Sequence, residues 1–182
     1  MTNLTLGAYG FKEIDNYISS SSVSSFTIDV NTSSEDSRVA LVIGTTSMAN
    51  DTKLRCSIKS PSTEDLRYTV TSTGSSGAFR GANTTSCYLN SNDAQNDNYC
   101  SSTGRRLNFT MHIQFATQFA PYAGTTLFSD CAYSYNNNPA SGFLAARNNS
   151  GDEIIQLEFF ALTGNIVNPA FRSYALCSDT QG

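Results

Sequence analysis

His112 is the only histidine in the chain, and it is therefore the first residue to consider for catalysis. Serine–histidine chemistry needs the imidazole beside a nucleophile and an orienting carboxylate. His112 instead occupies a polar position of the alternating segment LNFTMHIQF at residues 107–115, and the chain has no G-x-S-x-G motif. We expect His112 to be a solvent-facing or interface residue of a strand, and we predict that the protein is not an enzyme.

Metal ligands and paired carboxylates are also sparse. One histidine supplies too few ligands for a histidine-based zinc site, and the cysteines are scattered. The segment SNDAQNDNY at residues 91–99 offers oxygen ligands that suit calcium, but it lacks the glycine and glutamate of an EF-hand loop. Asp152 and Glu153 are neighbours at a strand entrance and point to opposite faces, so they form no glycosidase pair. We predict no catalytic residue, no metal site and no cofactor, with a calcium site at residues 91–99 as the alternative to a solvated loop.

A cluster of tyrosine and asparagine is the best candidate for a glycan- or receptor-binding loop. It comprises Tyr133, Tyr135, Asn136, Asn137 and Asn138. Tryptophan, which often stacks on sugars, is absent from the chain. We interpret the cluster as a polar loop, and sugar binding is the alternative.

Composition and charge exclude several classes of protein. The 182 residues suit one domain, and only 39% of them are hydrophobic and 14% charged. The net charge is −4 and no basic patch occurs, which argues against binding to nucleic acid. No stretch of about 20 apolar residues is present, so we expect no transmembrane helix and no membrane partner. The first residues show no signal peptide.

The five cysteines are expected to be mostly reduced, because their number is odd and no export signal is seen. Cys56 alternates with two apolar residues and is expected to pack as a small core side chain. Cys87 and Cys100 flank the segment at residues 91–99, and whether they are bridged stays open.

Alternation of apolar and polar residues with a period of two dominates from residue 23 onward, and it predicts strands. The inward-facing positions that we predict are Phe26, Ile28, Val30, Val39, Leu41, Ile43, Leu54, Cys56, Ile58, Leu66, Tyr68, Val70 and the odd-numbered residues of 107–115. Short turn-rich segments separate these runs. The pattern predicts an all-β, two-sheet antiparallel sandwich of jelly-roll type with eight to ten strands, formed by residues 23–182.

The first 22 residues are expected to form an N-terminal arm that ends in a serine-rich linker. Residues 11–19 are predicted to form one helical turn or a coil that latches onto a neighbour, with Phe11 and Tyr17 as its apolar contacts.

We predict that residues 154–176 form two strands joined by a loop at Gly164 and Asn165. Their inward-facing residues are expected to be Ile155, Leu157, Phe159 and Ala161. Phe160 and Leu162 then face away from the core, and exposed apolar residues of this size indicate a partner surface.

This closing hairpin resembles that of jelly-roll modules in virion proteins of tailed bacteriophages. Those modules tend to end on GN, a hydrophobic residue, and then a pattern such as G-[ST]-x-R-L-Y-G-[IL]; this chain has GNI at residues 164–166 and NPAFRSYAL at residues 168–176. The serine-rich lead-in to FTIDV at residues 26–30, followed by RVALVI and KLRCSIK, is similar as well, so the resemblance covers most of residues 19–177. The chain departs from the pattern at Pro169, Ala170 and Ala175.

The resemblance implies a non-enzymatic structural protein located in the virion, and it carries no catalytic residues. The leading interpretation is a capsid cement or decoration protein that binds the major capsid protein and its own copies, with a homotrimer favoured. The alternative is a tail-fibre or other tail-appendage module that binds a host-surface receptor or glycan. In the first interpretation, Phe160 and Leu162 are buried between copies.

Overall fold

The chain folds into a β-sandwich. The computed structural model describes residues 9–31, 39–49, 53–60, 66–72, 79–89, 106–115, 125–135, 138–148 and 154–178. These residues form twelve strands and no helix: β1 (Tyr9–Ile18), β2 (Ser25–Asp29), β3 (Val39–Met48), β4 (Leu54–Ser60), β5 (Leu66–Ser72), β6 (Phe79–Thr84), β7 (Cys87–Tyr88), β8 (Arg106–Gln114), β9 (Thr126–Tyr135), β10 (Asn138–Asn148), β11 (Gln156–Ala161) and β12 (Ile166–Ser178). The all-β, two-sheet prediction is confirmed, although the number of strands exceeds the eight to ten expected.

The strands are paired as nested antiparallel partners. In the larger sheet β1 pairs with β12 and β3 with β8, while in the smaller sheet β2 pairs with β11 and β4 with β7. The chain therefore resembles one long hairpin that is rolled up so that successive pairs alternate between the two sheets. This nesting of eight strands is the topology of a jelly roll.

Four further strands extend the larger sheet beyond β8. Strands β5 and β6 lie between β4 and β7 in the chain, and β9 and β10 lie between β8 and β11. The larger sheet has the order β1-β12-β3-β8-β9-β10-β5-β6, and the smaller sheet has the order β2-β11-β4-β7. The two insertions thus give the larger sheet eight strands and a broad outer face.

Four phenylalanines from both sheets meet in the core. Phe26 and Phe159 come from the smaller sheet, and Phe109 and Phe171 come from the larger one. The ring centroids of Phe159 and Phe171 are 4.9 Å apart, and those of Phe26 and Phe171 are 4.6 Å apart in an edge-to-face arrangement. Aromatic pairs at such distances stabilise a core beyond the area that they bury.

Most of the predicted inward-facing residues are buried, which confirms the alternation in β2, β4, β5 and β8. They are Phe26, Ile28, Val30, Leu54, Cys56, Ile58, Leu66, Tyr68, Val70, Leu107, Phe109, Met111, Ile113 and Phe115. In the closing hairpin Leu157 and Phe159 are buried as expected, but Ile154 is buried in place of Ile155, and Ala161 is only half-buried. Strand β11 begins only at Gln156, so the period of two does not extend back to Ile155.

The predicted orientation of β3 is wrong by one residue. Ala40 and Val42 are buried, whereas Ile43 is exposed and Val39 and Leu41 are half-buried on the outer face. A shift of one residue moves every side chain of a strand to the other face. The physical reason lies at Gly44, which must face inward because the rings of Phe109 and Phe171 occupy the space beside it.

The helical turn or coil expected for residues 11–19 is also wrong, because residues 11–18 belong to strand β1 at the edge of the larger sheet. The strand pairs with β12 and contains a bulge between Glu13 and Asp15. A carboxylate oxygen of Asp15 accepts a hydrogen bond from the backbone N–H of Asp29 at 3.0 Å, which ties β1 to β2 in the other sheet. The predicted arm of residues 1–22 therefore contributes a strand to the larger sheet.

Strands β6 and β10 were not expected from the sequence, because both begin in segments rich in turn-forming residues. The loop between β11 and β12 was expected, and Gly164 adopts a positive φ of 75° there. Asn168 also has a positive φ, 49°, at the point where the register of β12 with β3 shifts. Asparagine tolerates this left-handed conformation better than most residues do.

Candidate functional site

The outer face of the eight-stranded sheet carries most of the exposed apolar side chains. Six large hydrophobic residues are exposed among the described residues, and five of them lie on this face: Phe11 (52%), Ile18 (60%), Ile43 (46%), Phe128 (41%) and Phe143 (44%). Each of the last three alternates with buried neighbours in its strand. Clusters of exposed apolar residues mark interaction sites more often than single ones do.

The strand register places two of these residues, Ile43 and Phe143, in one row across the face. Arg172 lies opposite Ile43, Ile43 opposite Thr110, Thr110 opposite Asp130, and Asp130 opposite Phe143. Directly opposite residues have Cβ atoms about 4.5–5.5 Å apart. The row therefore forms one surface that crosses β12, β3, β8, β9 and β10.

A groove of about 610 Å³ runs over the middle of this face. Its apolar walls include Ile18, Ile43 and Tyr174, and small residues such as Ala132 and Ala170 form part of its lining. The volume falls within the range of small-molecule sites, which is roughly 300–1,000 Å³. The short side chains at the centre of the sheet leave room that the longer side chains around them enclose.

Four polar side chains in the groove form a cluster that we call the polar quartet: Thr45, Asn108, Thr110 and Asp130. Thr45 lies opposite Asn108, and Thr110 lies opposite Asp130. The hydroxyl of Thr45 is buried and has no hydrogen-bond partner. Within the described part of the chain, the other three side chains make no hydrogen bond either. Asn108, Thr110 and Asp130 thus present hydrogen-bonding groups that are available to a ligand, whereas the hydroxyl of Thr45 is covered.

Arg172 stands at the rim of the groove and is held by an acid. Its Nη1 lies 3.5 Å from Oε2 of Glu13, and Nδ2 of Asn16 donates to Oε1 of the same carboxylate at 3.1 Å. Both members of the ion pair are well exposed, so the pair contributes little to stability. The pair does neutralise the charge of Arg172. Asp130 is the carboxylate of the groove lining, and it has no cation beside it in the described part of the chain.

His112 is exposed on the same face, between Leu41 on β3 and Phe128 on β9. It makes no hydrogen bond to a nucleophile or a carboxylate among the described residues. The same residues contain no group of three or more histidine, cysteine or acidic side chains that would hold a metal ion. His112 therefore fits the expected role of an outward-facing strand residue, and nothing in the described geometry assembles a catalytic group around it.

The four residues predicted as a partner interface do not come together in the structure. Phe11 and Tyr17 lie on β1 of the larger sheet, whereas Phe160 and Leu162 belong to the smaller-sheet side. Phe11 is exposed, but Tyr17 stacks on Phe26 with ring centroids 4.3 Å apart and so packs against the core. Phe160 is half-buried, and the guanidinium of Arg55 lies 5.4 Å from its ring centroid. Leu162 is exposed, as expected.

The residues predicted as a glycan- or receptor-binding loop do not all lie in a surface loop. Tyr133 is buried, with 5% of its surface exposed, so its side chain does not reach a ligand at the surface. Tyr135 ends strand β9 and Asn138 begins strand β10. Asn136 and Asn137 lie outside the described residues, as does the segment at residues 91–99.

Sequence reasoning missed Ile43, Phe128 and Phe143 as surface residues. Phe143 lies in FLAA at residues 143–146, a run without alternation, in which the neighbouring Leu144 is buried. A strand with apolar residues on both faces gives no sign of which face is covered. The clearest sign in the sequence was that β3 has apolar residues at both its odd-numbered and its even-numbered positions.

Cys56, Cys87 and Cys131 are free thiols in the structure, and all three are buried. No helix in the described part of the chain is long and apolar enough to cross a membrane. No protein-family model, no curated protein and no solved structure matches the chain.

Proposed function

We propose that the chain is a non-enzymatic bacteriophage virion structural protein, a capsid cement or decoration protein that stabilises the head. In this proposal it binds the major capsid protein and its own copies. The observation that carries it is the concentration of five large exposed apolar residues on one face of the larger sheet. Covering the exposed half of a side chain of this size contributes about 1 kcal/mol. Such a face gains stability when a partner covers it.

We assign the outer face to a neighbouring copy because of its charge. Its described residues include four arginines and two acids: Arg67, Arg106, Arg147, Arg172, Glu13 and Asp130. The face is thus net positive, whereas the whole chain has a net charge of −4. The remainder of each copy is therefore net negative, so a second copy can offer oppositely charged groups to this face. Arginine and aromatic residues are also enriched in protein interfaces.

A contact between two different surfaces of identical chains is heterologous, and it closes into a ring when the rotation allows. A ring of three copies, the homotrimer favoured above, is one assembly that such a contact allows. The capsid protein would then contact surfaces that the ring leaves open.

Heads that lack the protein provide the test of this function. Purified protein added to such heads is expected to bind them and to raise their resistance to heat and osmotic shock. The control is the same addition to heads that already carry the protein. Failure of the purified protein both to bind and to protect the heads would overturn the cement proposal.

The second candidate is a tail-appendage module that binds a host-surface receptor or glycan, and the polar quartet favours it. Hydroxyl, amide and carboxylate groups without partners, beside the ring of Tyr174, suit the hydroxyl groups and the apolar face of a sugar. A glycan array and a host-cell adsorption assay test this candidate. We expect binding that Asp130→Ala abolishes, and the absence of binding to both would count against it.

A further inference from the structure

Two thiols face each other inside the smaller sheet. Cys56 on β4 and Cys87 on β7 are partners in the antiparallel register, and both are buried. The thiol of Cys87 donates a hydrogen bond to the carbonyl oxygen of Cys56 at 3.5 Å. Both residues are free cysteines in this structure.

The backbone geometry brings these two residues within reach of a disulfide. The N–H of Leu89 donates to the carbonyl of Leu54 at 2.9 Å, so Leu54 and Leu89 form a hydrogen-bonded pair. Such pairs alternate along an antiparallel ladder, and Cys56 and Cys87, two residues further on, form the next one. The Cα atoms of a hydrogen-bonded pair lie about 5.5 Å apart, within the range of roughly 4.4–6.8 Å that disulfides span.

We propose that Cys56 and Cys87 form a disulfide that links β7 to β4 when the protein meets a low-molecular-weight disulfide such as oxidised glutathione. The thiolate of one cysteine attacks the small disulfide, forms a mixed disulfide and releases one glutathione thiolate. The second cysteine then attacks the protein sulfur of the mixed disulfide and releases the other glutathione. The protein loses two hydrogen atoms, and oxidised glutathione is reduced to two thiols.

The closed fold slows this reaction. The neighbouring Cys87 thiol and burial raise the pKa of Cys56, and only the thiolate is nucleophilic. Reaction therefore needs a local opening that exposes the pair to the reagent. Strand β7 is two residues long and lies at the edge of its sheet, so it is an element that opens before the whole domain unfolds.

The cross-link has a consequence for stability. Cys56 and Cys87 are 31 residues apart, and the loop between them contains β5 and β6. Closing a loop of this size restricts the unfolded chain. Cβ atoms of opposite residues lie slightly further apart than a disulfide prefers, which offsets part of the gain. We expect the melting temperature to rise by roughly 5–10 °C.

The experiment incubates the folded protein with oxidised glutathione at increasing urea concentrations below the unfolding transition. Remaining thiols are alkylated after denaturation, and the cross-linked peptides are identified by mass spectrometry. Trypsin leaves Cys87 and Cys100 in one fragment, because no lysine or arginine lies between them, so a second cleavage after Tyr88 is needed. We expect a link between Cys56 and Cys87 that forms faster as urea favours local opening.

Two variants make the result decisive. Cys87→Ser should abolish the link and the rise in melting temperature. Cys131→Ser should keep both, because Cys131 is an equally buried thiol whose Sγ donates to the carbonyl of Leu89 at 2.8 Å and whose register partners are not cysteines. The proposal is wrong if Cys56 stays fully alkylated, if Cys87 links to Cys100 instead, or if the link forms only in fully unfolded protein.

Discussion

Tyr17 stacks on Phe26 with ring centroids 4.3 Å apart and ring planes only 7° from parallel. Tyr17 lies on β1, the edge strand of the larger sheet, and Phe26 lies on β2 in the smaller sheet. Phe26 in turn meets Phe171 in the core. The stack therefore fastens the first strand of the chain to both sheets.

Replacing Tyr17 with alanine should destabilise the domain by about 2 kcal/mol, because the ring is half-buried and removing a buried aromatic costs roughly 3–5 kcal/mol. Phe11→Ala is the matched control on the same strand. About half of its side chain is exposed, so we expect a smaller loss of about 1 kcal/mol or less. Urea unfolding of the two variants measures the difference, and equal losses would show that the stack does not anchor β1.

Gly44 is predicted to tolerate no side chain. A Cβ at this position would lie 2.6 Å from Cζ of Phe109 and 2.9 Å from Cδ1 of Phe171. Two packed rings cannot both move away without disturbing the aromatic core, and overpacking of this kind typically costs about 1–3 kcal/mol.

Gly44→Ala should therefore lower the free energy of unfolding by about 1–3 kcal/mol. Gly10→Ala provides the control, since a Cβ there meets nothing within 4 Å. Thermal and urea unfolding report both changes. A Gly44→Ala protein as stable as the Gly10→Ala protein would mean that Phe109 and Phe171 are not packed as the structure shows.

The alternation of apolar and polar residues predicted the fold class and most of the core. In a strand with one buried face, successive side chains point alternately into the core and into solvent. In β8 every predicted inward residue is buried. In β3 the same rule chose the wrong face, since Leu41 and Ile43 are apolar and yet lie outside. The rings of Phe109 and Phe171 beside Gly44 account for the observed face, and these neighbours from β8 and β12 cannot be read from the sequence of β3.

The candidate site was beyond sequence reasoning for a similar reason. Thr45, Asn108 and Asp130 come from three different strands, and the groove exists only once β3, β8 and β9 are paired. Tyr133 was expected at the surface and is buried instead. Its position beside an asparagine-rich turn indicated a surface loop, but the pleat of β9 directs it inward.

Stability at high pH should depend on Tyr68. Burial raises the pKa of this tyrosine above its ordinary value, the nearby Tyr88 and Cys87 raise it further, and Arg55 lowers it in part. The unfolded chain then loses the phenol proton near pH 10, while the folded protein keeps it. The unfolded state binds fewer protons above that pH, so stability falls as the pH rises past about 10.

Tyr68→Phe removes the ionisable hydroxyl and should make the decline above about pH 10 less steep. Urea unfolding at several pH values between neutrality and the alkaline range measures this slope. Tyr174→Phe, which removes a phenol hydroxyl from the outer face, serves as the control and should leave the decline in place. Identical slopes for Tyr68→Phe and the unaltered protein would contradict the assigned role of burial at Tyr68.

The outer face of the larger sheet should govern association between copies. Phe128 and Phe143 lie on adjacent strands with 41% and 44% of their surfaces exposed. Replacing both with serine removes two exposed rings that a partner covers, which should weaken association about tenfold or more at roughly 1 kcal/mol for each ring. Sedimentation velocity over a range of protein concentrations measures the shift toward the monomer.

Leu162→Ser is the matched control, because Leu162 is also an exposed apolar residue but lies outside the larger sheet. It should weaken association less than the double variant does, because it removes one exposed side chain and leaves the outer face of the larger sheet intact, and none of the three substitutions should alter the melting temperature of the monomer by more than a few degrees. If Leu162→Ser weakens association and the double variant does not, the contact between copies lies on the smaller-sheet side, where Phe160 and Leu162 were first expected to mediate it.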